Sequence, residues 1–177
     1  MEINIETERL ILRPWSMEDV PFILKLNSNL DVIKYLHIPP METTEQAKKE
    51  IQYVLDQYES NGLGRLIMVE KLTGKCMGWS GLKIEDMEMN GYKDFYDVGY
   101  RMLPEFWGKG YATESAIASL KFGFEKLGVE KINAAAHIDN LASQRVLTKA
   151  GLKYQNTFEI FDFKAYWYEI EKADWEN

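Results

Sequence analysis

Asp97-Val-Gly-Tyr-Arg-Met-Leu-Pro-Glu-Phe-Trp-Gly-Lys-Gly-Tyr-Ala-Thr-Glu114 changes its hydrophobic period half-way along. The first part alternates, with Val98, Tyr100 and Met102 on one side of a predicted strand and Gly99 and Arg101 on the other. Pro104 stops that strand, because it brings no N–H to a ladder. Gly108 and Gly110 follow, with Lys109 alone between them. From Ala112 the period becomes helical: Ile117, Leu120, Phe124 and Leu127 recur at steps of three or four, and Gly128 suits a left-handed residue past the helix end. The stretch reads as strand, glycine loop, helix N-terminus.

That order has a chemical use. The first turn of a helix carries unpaired N–H groups and the positive end of the macrodipole, and glycines let a bulky anion come close. Lys109 adds a mobile cation beside the loop, so the stretch reads as a pyrophosphate cradle. An ordinary tight turn is the alternative, since a lone Gly-x-Gly is common. A P-loop is excluded because no Gly-Lys-Ser/Thr follows four spacer residues. A dinucleotide fold is disfavoured because the third glycine of its fingerprint is missing.

Working outward, Trp107-Gly-Lys-Gly110-Tyr-Ala112 resembles motif A of the GNAT superfamily of acyl-CoA N-acyltransferases, with Trp107 where Gln or Arg is usual. Asn140-Leu-Ala-Ser143, followed by Gly151-Leu152, resembles a second segment of that family. The opening Glu6-Thr-Glu-Arg-Leu-Ile-Leu-Arg13-Pro-Trp and the Asp97-Val-Gly-Tyr100 strand resemble the branch of ribosomal-protein N-terminal acetyltransferases.

The remaining chain supplies a plausible frame. Leu10–Pro14 predicts a short strand, and Ser16-Met-Glu-Asp19 opens a helix to about Asn27 with Val20, Ile23 and Leu24 inward. A short helix is expected over Asp31–Leu36, stopped by Pro39-Pro40. Thr43 or Thr44 caps a third helix, on which Ala47, Ile51, Val54 and Tyr58 share a face and which Asn61-Gly62 ends. Strands follow at about Arg65–Glu70 and Cys76–Ile84, joined through Thr73-Gly74, and Asn90-Gly91 turns into the central strand. Lys131–His137 is another strand, and Asn140 caps a helix to Ala150. Lys153–Phe161 and Ala165–Ile170 make an aromatic hairpin. One α/β domain over residues 1–177 is expected. The resemblance implies a mixed, mostly antiparallel sheet, with splayed central strands flanked by helices.

The resemblance also implies the chemistry. Acetyl-CoA would be the co-substrate, with its pantetheine arm pairing with the backbone near Met102 and Leu103. Its pyrophosphate would rest on the N–H groups of Gly108, Lys109, Gly110, Tyr111, Ala112 and Thr113. Lys109 or Arg101 would make up for the missing Gln or Arg. The amine attacks the thioester directly in a ternary complex, which calls for a base, an oxyanion donor and an acid for the leaving thiolate. Asp97 is the implied base, acting through water, with Glu159 and Asp162 as rivals. The N–H of Met102 or Leu103 is the oxyanion donor, Asn140 orients the pantetheine, and Ser143 protonates the thiolate. Tyr154 is either an alternative acid or a core residue. Asn140 and Ser143 have a structural explanation too, as N-cap and N3 residues.

Composition bounds the partners. The chain has 177 residues, a net charge of −7 and 13% aromatic content, and a pI near 5.0. An ordered fold is therefore expected, and nucleic acid is disfavoured as the main partner. A cationic amine acceptor fits: a protein N-terminal α-amine by the branch resemblance, or a small molecule such as a polyamine, an antibiotic or an amino-acid analogue. A non-catalytic acyl-CoA-binding module is the alternative of another class. Ser28–Asp31, His37–Met41, the acidic connection with Glu85, Asp86 and Glu88, and the final hairpin are expected to frame the acceptor. Cys76 stands alone, so no internal disulfide forms and a reducing, cytoplasmic setting is expected. His37 and His137 predict no metal site, and no apolar run reaches membrane-spanning length. A monomer or homodimer is expected.

Overall fold

Eight strands form one sheet in the order β1-β2-β3-β4-β5-β6-β8-β7 in this computed structural model, which describes residues 3–176. The strands are β1 (Ile5–Glu6), β2 (Leu10–Arg13), β3 (Leu66–Glu70), β4 (Cys76–Glu85), β5 (Phe95–Met102), β6 (Lys131–His137), β7 (Lys153–Ile160) and β8 (Phe163–Glu171). The helices are α1 (Val20–Ser28), α2 (Leu30–Ile33), α3 (Thr44–Asn61), α4 (Tyr111–Glu125), α5 (Leu141–Lys149) and α6 (Lys172–Trp175). This is a single α/β domain, and every neighbouring pair of strands is antiparallel except β5 and β6.

The exception follows from the chain's path. β5 and β6 are joined by α4, and a helical crossover returns the chain parallel. Among the described residues the two strands pair at a single position, Asp97 opposite Asn133. Beyond it they part, so the sheet is split in its middle toward the C-terminal ends of both strands.

Strand alternation assigns the faces. Val98 and Met102 of β5 join Leu82, Ile132, Ala134 and Ala136 in a core under α4 and α5. On the opposite face Ile67, Val69 and Trp79 pack with Trp15, Ile23, Ala47, Ile51 and Val54 of the α1–α3 layer. The caps explain where these helices begin. Thr43 and Gln46 form a capping box for α3, which Gly62 closes in the left-handed conformation.

Several expectations shift by a residue or two, and one changes face. Ile117 was expected inward, but it is 38% exposed. The buried stripe of α4 is Ser115, Ala116, Ser119, Leu120, Gly123 and Phe124. Ile117 lies about 100° round the helix from Ala116, so it falls off the stripe that Ala116, Leu120 and Phe124 define. Leu26 and Asn27 complete the inner face of α1, where Leu24 is only half-buried. β1 and α6 are too short to show a period, and both escape a sequence reading.

Candidate active site

The split between β5 and β6 opens a cleft of about 520 Å³. Its walls come from the end of β5, the Trp107-Gly108 corner, the start of α5 and the α2 turn. Leu103 donates its N–H to Met77 O at 2.9 Å, toward β4. Antiparallel strands alternate the direction of successive backbone groups, so the Met102 N–H and C=O point the other way, into the split. The Trp107 indole N–H donates to Met102 O at 2.7 Å. Leu103, expected as a backbone donor to the cofactor or oxyanion, therefore has its N–H committed to β4, which leaves Met102.

The glycine loop takes the form expected of it. Gly108 and Gly110 have φ of +75° and +84°, and Gly110 is the N-cap of α4. L-residues with a Cβ pay about 1–2 kcal/mol in this region, so glycine belongs there. The N–H groups of Tyr111, Ala112 and Thr113 form the open first turn of a 15-residue helix. The loop is braced from the bend just before β2, a feature the sequence did not reveal. Arg9 Nη1 donates to Lys109 O at 3.0 Å, its guanidinium lies 4.4 Å from the Tyr111 ring centroid, and it pairs with Glu114 at 2.6 Å. Tyr111 gives only its backbone to this corner, because its hydroxyl donates to Glu70 at 2.6 Å. The Lys109 ammonium sits over Phe106 at 5.8 Å.

Asn140 and Ser143 lie on the α4–α5 side of the cleft. Asn140 Oδ1 accepts the Ser143 N–H at 3.1 Å, the capping bond that starts α5. Tyr100 shares this wall. Its hydroxyl is 2.9 Å from Ser143 O and 2.9 Å from Ser143 Oγ, and burial pushes its pKa well above the usual phenol range. Sequence reading placed Tyr100 on the correct strand face but gave it no part in the site. The contact spans 43 residues, and no local pattern announces it.

Arg101 alternates to the other face. It lies over Trp79, 5.0 Å from the ring centroid, and Nη1 donates to Asn27 Oδ1 of α1 at 2.5 Å. Asn27 Nδ2 donates in turn to Glu50 of α3 at 2.8 Å. Burial lowers the Arg101 pKa. The side chain lines the cleft on the side away from the glycine loop, so it does not stand in for the missing motif residue as expected.

Asp97 is absent from the cleft lining. Its carboxylate pairs with Arg65, which crosses the sheet over Gly99; a Cβ there would lie 2.7 Å from Arg65 Nη2. Arg65 also donates to Asp97 O at 2.7 Å and to Gly81 O. Burial pushes the Asp97 carboxyl up, while Arg65 and Lys83 pull it down.

The other candidates scatter. Glu159 is exposed and lies outside the cleft; Asp162, at the hairpin tip, is 3.5 Å from His37 Nδ1. Tyr154 was expected in the core but is 52% exposed. Glu85 is buried against Lys83 at 2.5 Å, so it offers no attraction to an amine, whereas Asp86 and Glu88 remain exposed. Cys76 is half-buried 3.6 Å from Arg13, and burial raises its pKa. His37, His137 and Phe163 pack as a cluster, His37 lying 5.4 and 4.5 Å from the other two rings, which are 5.3 Å apart. Among the described residues no group of three or more His, Cys, Asp or Glu side chains is placed to hold a metal, and no helix is long and apolar enough to cross a membrane.

A split sheet whose gap ends at a glycine-capped helix is a cofactor architecture, and the family comparison decides which. The profile of the acetyltransferase (GNAT) domain matches residues 9–153. This chain belongs to the GNAT acetyltransferase family. As a GNAT enzyme it is an acetyl-CoA-dependent N-acetyltransferase, and acetyl-CoA is its co-substrate. An uncharacterised N-acetyltransferase of Bacillus licheniformis, p20, is 30% identical over 161 residues, covering 91% of this chain and 87% of that protein. Two solved structures share the GNAT fold. Spermidine N-acetyltransferase from Vibrio cholerae, in complex with CoA and spermine, superimposes with a TM-score of 0.77 at 19% identity, covering 97% of this chain and 100% of that one. Ribosomal-protein-S5-alanine acetyltransferase from Vibrio fischeri gives 0.76 at 17%, covering 99% and 100%. The residues of this chain suit the co-substrate: the open N–H turn at Gly110–Thr113 suits a pyrophosphate, and the Met102 N–H, facing the split, suits an amide-bearing arm.

Proposed function

We propose that this acetyltransferase moves acetyl from acetyl-CoA to an α-amine, directly and within a ternary complex. The observation carrying this reading is the cleft itself. It runs through the sheet from the α4 N-terminus on one face to the α2 turn on the other, so two substrates can meet from opposite sides. The pantetheine arm would pair with the Met102 edge, and the pyrophosphate would lie on the N–H groups of Gly108 to Thr113. As the amine nitrogen bonds to the acetyl carbon, the Met102 N–H meets the developing oxyanion. The C–S bond then breaks, and the Ser143 hydroxyl protonates the thiolate and is reprotonated by the proton that the newly acylated nitrogen sheds, while Asn140 holds the start of α5. The Trp107 ring walls the corner where relatives carry Gln or Arg. In this reading Asp97 fixes β5 to β3 through Arg65, and the ammonium proton leaves through water toward Asp31, whose side chain lines the cleft.

The acceptor is the finer question. A protein N-terminal α-amine is supported by the resemblance of the opening segment and the fold shared with the ribosomal-protein enzyme. A small-molecule amine is supported by similarity to the spermidine enzymes. We favour an α-amine, because the cleft lining sets Arg101 and Lys34 against Asp31 and Asp139, a mixed charge that gives a polycation no acidic site to itself. A cytoplasmic setting suits a chain with one cysteine.

Free CoA release, measured against N-terminal peptides, amino acids, polyamines and aminoglycosides, tests the reading. Turnover driven by an α-amine supports it. Turnover driven by a polyamine alone overturns the acceptor, and acetyl-CoA binding without turnover on any amine makes the protein a binding module.

A further inference from the structure

The cleft contains a guanidinium that neither half of the proposed reaction uses. Arg101 sits at the end of β5, next to Met102, whose N–H faces the reacting carbonyl in the reading above. Its side chain leaves the strand on the α1 face. One N–H goes to Asn27 Oδ1, and the plane lies over Trp79. Among the described residues no carboxylate is within ion-pair distance of it; Glu50 is reached only through Asn27. The neighbouring guanidinium is no help, because Arg65 is already paired with Asp97.

A largely buried cation without a directly bonded counter-charge is unfavourable: burial lowers the pKa of this one, and the more distant Glu50 offsets that only in part. Such a group gains most from an anion brought by a ligand. The co-substrate's phosphates do not serve, since their cradle at Gly108–Thr113 lies on the opposite side of the sheet. Lys34 is a second cation lining the cleft, its ammonium 5.2 Å from the Tyr35 ring centroid, and Asp31 and Asp139 are the acids that line it. This half of the cleft therefore suits a small zwitterion better than a polycation.

We propose that Arg101 anchors a carboxylate on the acceptor, so that the amine acetylated is that of a free α-amino acid or a close analogue. The inference rests on the reading that this cleft acetylates α-amines, and it narrows that class. Amine and carboxylate in an α-amino acid share one carbon. A carboxylate held on the guanidinium therefore keeps the nitrogen in the same cleft, and the planar fork of arginine, beyond the N–H already given to Asn27, still has donors for a carboxylate.

The test offers several side chains, each in three forms: the amino acid, its amide and the decarboxylated amine, with a short peptide as a fourth arm. The amide keeps the carbonyl oxygen and mimics a protein N-terminus without the charge. The expected result is a kcat/KM for the amino acid on the order of 10- to 100-fold above its amide, and higher still above the amine. Arg101→Gln removes most of that preference, chiefly through KM, and Arg101→Lys restores part of it. Equal use of amino acid, amide and peptide by the wild type overturns the inference and leaves the α-amine reading standing. So does a loss in Arg101→Gln that is the same for all forms, which would mark Arg101 as an oxyanion donor or a brace for α1. Turnover of spermidine with none of the α-amines would overturn both. The wild-type arms decide the question even if the variants fold poorly.

Discussion

The Tyr100 hydroxyl stands 2.9 Å from both the backbone and the side-chain oxygen of Ser143. Burial keeps this phenol protonated, so it is a poor proton source and a reliable donor. Its one O–H donates to Ser143 O, so at rest the serine O–H points to the phenol oxygen, which holds that hydroxyl at the cleft wall. Tyr100 is thus a positioning residue for the group proposed to protonate the leaving thiolate. Tyr100→Phe should lower kcat about 5- to 10-fold, the worth of one hydrogen bond, with acetyl-CoA affinity little changed. The double variant Tyr100→Phe with Ser143→Ala should be no slower than Ser143→Ala alone. Additive losses would show that Tyr100 acts elsewhere.

Arg9 holds the glycine loop from the bend just before β2, a hundred residues away. It bonds Lys109 O, covers the Tyr111 ring and pairs with Glu114. Arg9→Ala should loosen the turn that presents the N–H groups, raising the acetyl-CoA dissociation constant roughly 3- to 10-fold, as the loss of about 1 kcal/mol implies. Isothermal titration measures this directly. An unchanged constant would mean that the two glycines and the helix hold the loop unaided.

Asp97→Asn is a stability experiment. The change leaves Arg65 charged and largely buried without its partner, a loss of about 3 kcal/mol, or roughly 6–12 °C in melting temperature. Calorimetry would read it. A variant that melts like the wild type but loses its rate would return Asp97 to the list of bases.

Acid should weaken the hinge between β2 and α1. Asp19 is buried, which alone would raise its pKa, but Arg13 and Ser16 hydrogen bonds bring it below its ordinary 3.8. Arg13 pairs with it at 2.6 Å. A carboxyl whose pKa is depressed by folding stabilises the fold at pH above about 3.8 and loses that contribution as pH falls through the lower folded-state value. Stability measured by urea unfolding should therefore decline more steeply below pH 4 in the wild type than in Asp19→Asn. Parallel curves would remove the pair from the acid response.

The strand–loop–helix stretch was legible because it is local. Alternation ends at Pro104, glycines sit where φ is positive, and the helix period starts within two residues of the observed cap. The same holds for Asn140, whose capping bond lies within one turn. What escaped was made of contacts distant in sequence. Tyr100 meets Ser143, Arg9 meets Glu114, and Arg65 reaches Asp97 over Gly99, each pair brought together only by sheet order. Asp97 looked like a free strand-end acid because its partner is 32 residues earlier and carries no pattern. Glu85 misled for a different reason: its partner Lys83 is two residues away, and only the bulk of the fold shows that the pair is buried.

The single paired position between β5 and β6 has a consequence for exchange with solvent. A central strand is ordinarily where amide hydrogens are slowest to leave, yet the Met102 N–H faces an open split and should exchange as if it lay on an outer edge. Acetyl-CoA, bound along that split, would act as the missing ninth member of the ladder. The amide of Met102 should slow on binding far more than its neighbour Leu103, whose N–H is already engaged by Met77. The protein thus keeps a gap inside its central layer, which in the proposed binding mode the co-substrate would close at each turnover.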